Sequence, residues 1–77
     1  MRTYLTPTDG RKSFYNKCYV EEEGDVATLY SYDTKIMSLN KVTREVEKFE
    51  AFNFSATTKR HQKAFIEHFN ITKEEMK

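Results

Sequence analysis

Three side chains in this 77-residue chain could ligate a metal or attack a substrate: Cys18, His61 and His68. One thiolate and two imidazoles would make a zinc donor set. The two histidines lie seven residues apart, however, and two helical turns separate their rings by about 10 Å. Paired helical ligands sit three or four residues apart, so no metal is expected. Cys18 beside either histidine would suggest a thiol nucleophile. No glycine-rich turn precedes it, and it falls within a strand, where cysteine behaves as a small core residue. His61 is therefore expected to be a partly buried histidine bonding backbone or hydroxyl groups across a helix–sheet seam. His68 should flank that seam near the helix C-terminus, where its charged form suits the dipole. The carboxylate pairs Glu21/Glu23 and Glu45/Glu47 alternate correctly to share a face, but they sit among solvated charges with no apolar setting to raise a pKa. The sequence assigns no catalytic residue and no cofactor, and the expectation is a non-enzymatic protein.

Binding chemistry is better represented. The chain holds five tyrosines and six phenylalanines, and tyrosine gives large contact area at low entropy cost. Tyr15, Tyr19, Tyr30 and Tyr32, with the acidic run Glu21, Glu22 and Glu23, form the expected surface for a protein partner. The alternative is nucleic acid, held by Lys59, Arg60 and Lys63 with the tyrosines stacking on bases and Lys17, Lys35 and Arg44 interleaved. A net charge of only +1 and the acidic run on the same strands rank that second. Ser55-Ala56-Thr57-Thr58 could cradle an anion at a helix start. Without phosphate-binding glycines, plain capping is the simpler account.

The elements that must position these residues follow from period and punctuation. Thr6-Pro7-Thr8-Asp9-Gly10 is turn chemistry, and residues 1–12 are expected to be a flexible tail. Residues 13–77 should form one domain. A strand at about 13–21 places Phe14, Cys18 and Val20 on one face and Tyr15, Lys17 and Tyr19 on the other. Glu22-Glu23-Gly24-Asp25 is a hairpin turn, since Gly24 can take positive φ. A strand at about 26–32 sets Val26, Thr28, Tyr30 and Tyr32 opposite Ala27, Leu29 and Ser31. Asp33-Thr34 bends it, Ile36 to Leu39 continue the sheet, and Asn40-Lys41 turns again. The next strand, at about 42–52, changes hydrophobic parity, which a bulge near Glu47-Lys48 would reconcile. Ser55, with Thr57 and Thr58 as rival caps, then starts a helix whose apolar stripe is Thr58, His61, Phe65 and Phe69. Ile71 to Met76 repeat the start signal, with Thr72 and Glu75 at capping-box spacing and Ile71 and Met76 at staple spacing. The expected fold is α+β: an antiparallel β-meander of three or four strands with a C-terminal α-helix packed on one face.

Charge is unevenly spread: residues 1–20 sum to +3, 21–33 to −5 and 55–77 to +2. Distinct acidic and basic faces orient partners. A single cysteine excludes an internal disulfide, and neither a leader nor a membrane-length apolar run is present, so a cytoplasmic protein without a membrane partner is expected.

Three stretches carry a resemblance: Ser13-Phe14-Tyr15-Asn16-Lys17-Cys18-Tyr19-Val20, Leu29-Tyr30-Ser31-Tyr32-Asp33-Thr34-Lys35-Ile36, and Phe54-Ser55-Ala56-Thr57-Thr58-Lys59-Arg60-His61. Together they resemble an uncharacterised family of small proteins from bacteriophages and their Gram-positive hosts, in which "SFYGKA", "L-SY-T-VA" and "WSATTSRHI-EF" occur in that order. Asn16 stands for the usual Gly, Cys18 for Ala and Phe54 for Trp. The resemblance covers residues 13–69 and carries over no catalytic residue. It implies a phage or mobile-element accessory protein in a bacterial host cell, binding a host or phage protein. A host-directed, anti-defence (anti-CRISPR-like) inhibitor is the sharpest form of that expectation, with self-association left open.

Overall fold

The computed structural model describes residues 1–7 and 16–77. Five strands, β1 (Arg2–Tyr4), β2 (Cys18–Glu23), β3 (Val26–Ser31), β4 (Thr34–Asn40) and β5 (Val46–Lys48), precede one helix, α1 (Ala56–His68). They form one antiparallel sheet in the order β1-β2-β3-β4-β5, a plain meander. The fold is α+β, with five strands among the described residues rather than the three or four expected. The added strand is β1, inside the segment expected as a tail: Arg2, Thr3 and Tyr4 pair with Glu21, Val20 and Tyr19. Leu5 then buries at the core margin. Residues 8–12 of that segment, and 13–15 of the expected first strand, lie outside the described residues.

Turn chemistry sets the register. Gly24 at φ +60 opens a two-residue turn that leaves Glu23 opposite Val26, as a first-position glycine does in a tight hairpin. The next reversal differs from the expected bend. Tyr32 (φ 53) and Asp33 (φ 64) form a second two-residue hairpin, a geometry that needs positive φ at both central residues. No glycine marks it, so the sequence does not announce it. The expected bulge near Glu47-Lys48 is absent. The register shifts instead at Leu29/Tyr30, leaving Ile36 as the extra residue on β4, so that Ile36 and Met37 both bury completely. The strand expected over 42–52 shrinks to β5. Asn40 accepts the Val42 and Thr43 amides through Oδ1, Arg44 takes φ 66, and Val42 stays exposed.

One face of the sheet meets α1. Val20, Ala27, Leu29, Met37 and Leu39 bury against Ala64 and Phe65, with Leu5 and Ile71 at the margins. Ser55 caps α1 as expected, its Oγ accepting from the Thr58 amide at 3.1 Å. The helix ends in a Schellman motif: Asn70 sits at φ 53, the Ile71 amide bonds Ile66 O at 2.9 Å, and the Asn70 amide bonds Glu67 O. Such an end needs a left-handed residue, and Asn supplies it in place of glycine. The capping box after it closes in both directions, Thr72 N–H to Glu75 Oε1 at 2.9 Å and Glu75 N–H to Thr72 Oγ1 at 3.2 Å.

Arg44, interleaved with the tyrosines in the nucleic-acid alternative, is a clamp. Its guanidinium bonds both Glu75 carboxylate oxygens and the carbonyls of Phe69 and Asn70. The β4–β5 connection is thereby tied to the helix end. This pairing, with the Thr72 amide, holds the Glu75 carboxyl at about 2.

Candidate functional site: two aromatic surfaces

Among the described residues no helix packs on the outer face of the sheet. Strand alternation brings Tyr4, Tyr19, Tyr30 and Lys35 into one row across β1 to β4, and Arg2, Glu21, Thr28, Ser38 and Glu47 into the next. Tyr19 lies inside the aromatic row and is 5% exposed. Its ring stacks on Tyr30 at 5.2 Å and 9°, tilts against Tyr4 at 5.7 Å, and carries the Arg2 guanidinium carbon 4.2 Å above its centroid. Its hydroxyl donates to Asp33 Oδ1 at 2.6 Å, and that bond to a carboxylate pushes the phenol up to about 12. Tyr19 is thus a pillar of the face. The exposed part of the row comes from Tyr4 and the half-buried Tyr30.

The acidic run divides between the faces. Glu21 and Glu23 point outward, Glu21 paired with Arg2 at 3.2 Å. Glu22 alternates to the helix side and pairs with Lys41 at 2.7 Å, which lowers its pKa. Tyr15 lies outside the described residues. Tyr32, in the β3–β4 turn, leaves the row altogether and belongs to a second surface.

That surface is a cleft of about 440 Å³ where the β3–β4 turn meets the start of α1. Two exposed rings line it, Tyr32 at 59% and Phe54 at 82%. Ile36 and Ala51 add apolar wall, and Ser31 and Thr58 add hydroxyls. A second depression shares Thr34, Ala51 and Phe54 with it. The backbone presenting Phe54 is fixed. Buried Gln62 accepts from the Asn53 amide at 2.7 Å and donates to Asn53 Oδ1 at 2.8 Å, while the Phe54 amide bonds Ala51 O at 3.0 Å. Tyr32 is fixed as well, by its amide to Lys17 O at 2.9 Å and by stacking on His61 at 5.9 Å.

Sequence reading noted Phe54 only as standing for Trp in the resembling pattern and gave it no role, yet a signal was present. Phe54 precedes the cap Ser55, where an apolar residue usually packs against the fourth helical position. That position is Lys59, so the ring has no staple partner and stays in solvent.

Behind the cleft, Ser31 Oγ and His61 Nδ1 are 2.7 Å apart and both are buried. This is the hydroxyl bond across the helix–sheet seam expected for His61. Burial, and then the charge of Arg60, hold the imidazole down at about 4. The pair ties β3 to α1 across the seam. His68 is exposed and edge-on to Phe69 at 4.8 Å. Cys18 is completely buried, which raises its thiol to about 12 and makes it inert. Among the described residues no group of three or more His, Cys, Asp or Glu could hold a metal ion. Of the basic helix residues, Lys59 and Lys63 are exposed and Arg60 is half-buried. No helix among the described residues is long and apolar enough to cross a membrane.

Compared with known proteins, the model of a family of unknown function (DUF8033) matches residues 3–77. No curated protein and no solved structure matches.

Proposed function

The chain belongs to DUF8033, a family of unknown function, and from that premise we propose that it is a small non-enzymatic accessory protein that acts by binding another protein. The single observation that supports this most is the pair of solvent-exposed rings, Tyr32 and Phe54, facing one cleft on backbone already pinned by hydrogen bonds. Burying either ring would remove large apolar area from water, and the pinned backbone leaves little ordering entropy to overcome. Binding energy concentrates on rigid aromatic anchors of this kind. The outer-face tyrosines Tyr4 and Tyr30, with Glu21 and Glu23, provide a second contact region.

In its sharper form the protein is of phage or mobile-element type and binds a protein of the bacterial host in the cytoplasm, as an anti-defence inhibitor does. The three-motif resemblance supports that form. Nucleic acid is the competing partner class, through Lys59, Arg60 and Lys63.

The two classes separate in one experiment. Tagged protein is used to capture partners from bacterial lysate with and without nuclease, and the bound fraction is read by mass spectrometry. A stoichiometric protein that survives nuclease and the Lys59/Arg60/Lys63→Ala triple variant, but is lost with Tyr32→Ala, is the expected result. Bands that vanish with nuclease or with the triple variant would overturn it in favour of nucleic acid, whose binding falls steeply with salt.

A further inference from the structure

The β3–β4 hairpin turns on two residues that both lack the freedom of glycine. Tyr32 at φ 53 and Asp33 at φ 64 are left-handed, and the two-residue turn they make suits Asn-Gly or Asp-Gly, with glycine second. A bulky ring at positive φ is strained, and such a backbone persists only where its surroundings fix it. Here the restraints come from three directions. The Tyr32 amide bonds Lys17 O at 2.9 Å. On the helix side the Tyr32 ring stacks on His61 at 5.9 Å and 29°. On the outer side Asp33 Oδ1 accepts the Tyr19 hydroxyl at 2.6 Å. The ring that delivers this hydroxyl is itself immobilised, stacked on Tyr30, tilted against Tyr4 and covered by Arg2. We infer that the Tyr19 hydroxyl and the Asp33 carboxylate are positioning groups for the cleft on the helix side: their bond holds the left-handed turn that lays the Tyr32 ring along the cleft wall.

This inference rests on the reading of the cleft as the binding surface. Neither Tyr19 nor Asp33 lines the cleft, whereas Tyr32 does, so the outer pair acts on it only through the turn. Aspartate suits the task twice over. It tolerates the left-handed region better than most residues, and its carboxylate is a strong acceptor for a phenol. Without the bond, strain favours a relaxed turn in which Tyr32 leaves His61 and the cleft loses one of its two exposed rings. Apparent affinity for a partner then falls with the fraction of molecules that keep the ring in place. The outer aromatic row thus serves binding by position, with the buried Tyr19 as its link to the cleft.

Nuclear Overhauser contacts between the Tyr32 and His61 rings, measured on the free full chain, test the positioning, with melting curves confirming that each variant folds. Tyr19→Phe keeps the stacked ring, removes only the hydroxyl, and should weaken the Tyr32–His61 contact at least about twofold. Glycine takes positive φ without strain, so Asp33→Gly supplies the turn without the bond. The double variant Tyr19→Phe/Asp33→Gly, which leaves no orphaned hydroxyl, should therefore return the contact close to that of the parent. A hydroxyl that served only the packing of its own row would show no such rescue. An unchanged contact in Tyr19→Phe, or a double variant no better than the single, would overturn the assignment. Capture from bacterial lysate should follow the same order, falling in Tyr19→Phe and recovering in the double variant. Capture indifferent to Tyr32→Ala would instead sink the cleft as the binding surface, and with it the binding role of the turn, whereas the ring contacts decide the positioning on their own.

Discussion

Tyr19 and Phe54 are both aromatic, both lie on the molecular surface side of the fold, and differ in nearly everything else. Tyr19 is enclosed by two rings, a guanidinium and a carboxylate and is 5% exposed; Phe54 is 82% exposed on a backbone held by Asn53, Gln62 and Ala51. Residue type does not separate a structural aromatic from the proposed anchor. What separates them is whether the neighbours hold the ring or only the backbone beneath it. A ring held by its neighbours has already spent its contact energy on the fold, whereas a ring with a fixed backbone keeps that energy for a partner.

The largest effect expected from breaking this contrast is at Tyr19. Tyr19→Ala removes a buried ring and should cost about 3–4 kcal/mol of stability by urea unfolding, although it sits on the face without a helix. Tyr19→Phe keeps the stack and should cost about 1 kcal/mol through the hydroxyl alone.

Next comes acid. His61 is neutral in the folded protein, with its pKa lowered from 6.5 to about 4, so the unfolded chain binds its proton first. Its contribution is whole above pH 6.5 and is lost as pH falls toward 4, by up to about 3 kcal/mol. Glu75, lowered from 4.5 to about 2, adds a further loss as pH falls from 4.5 toward 2. Urea midpoints measured across pH should show both steps, with the upper one missing in His61→Asn.

Smaller again is Gln62→Ala. It leaves the Asn53 amide and side chain without their partner and should cost about 1–2 kcal/mol. It should also weaken partner capture although Gln62 makes no exposed contact, because the Phe54 backbone loosens. The smallest effect on stability is at Phe54 itself: Phe54→Ala should stay within about 0.5 kcal/mol of the parent.

Much of this architecture was written locally. Gly24, the Ser55 cap, the Thr72/Glu75 box and the period that puts His61 and Phe65 on one stripe each act within a few residues, and each appears where the sequence places it. The departures are non-local. β1 exists because Thr3 and Leu5 find Val20 and Cys18 across the sheet. The Tyr32-Asp33 turn is held by its strands, and by Asp33 taking the Tyr19 hydroxyl, with no turn-forming glycine. Arg44 has no local mark of a clamp, since its partner Glu75 lies 31 residues away. The tyrosines were legible as a group but not as two groups, because a positive-φ turn moves Tyr32 off the alternation that Tyr30 obeys. Phe54 was readable in principle from the lysine at its staple position.

The most direct test pairs two measurements on one variant: urea unfolding and capture yield for Phe54→Ala. An unchanged midpoint with at least about tenfold less partner recovered is the predicted result. A midpoint that drops as Tyr19→Ala does, or full recovery of the partner, would contradict the assignment of Phe54 as an anchor that the fold holds out to a partner.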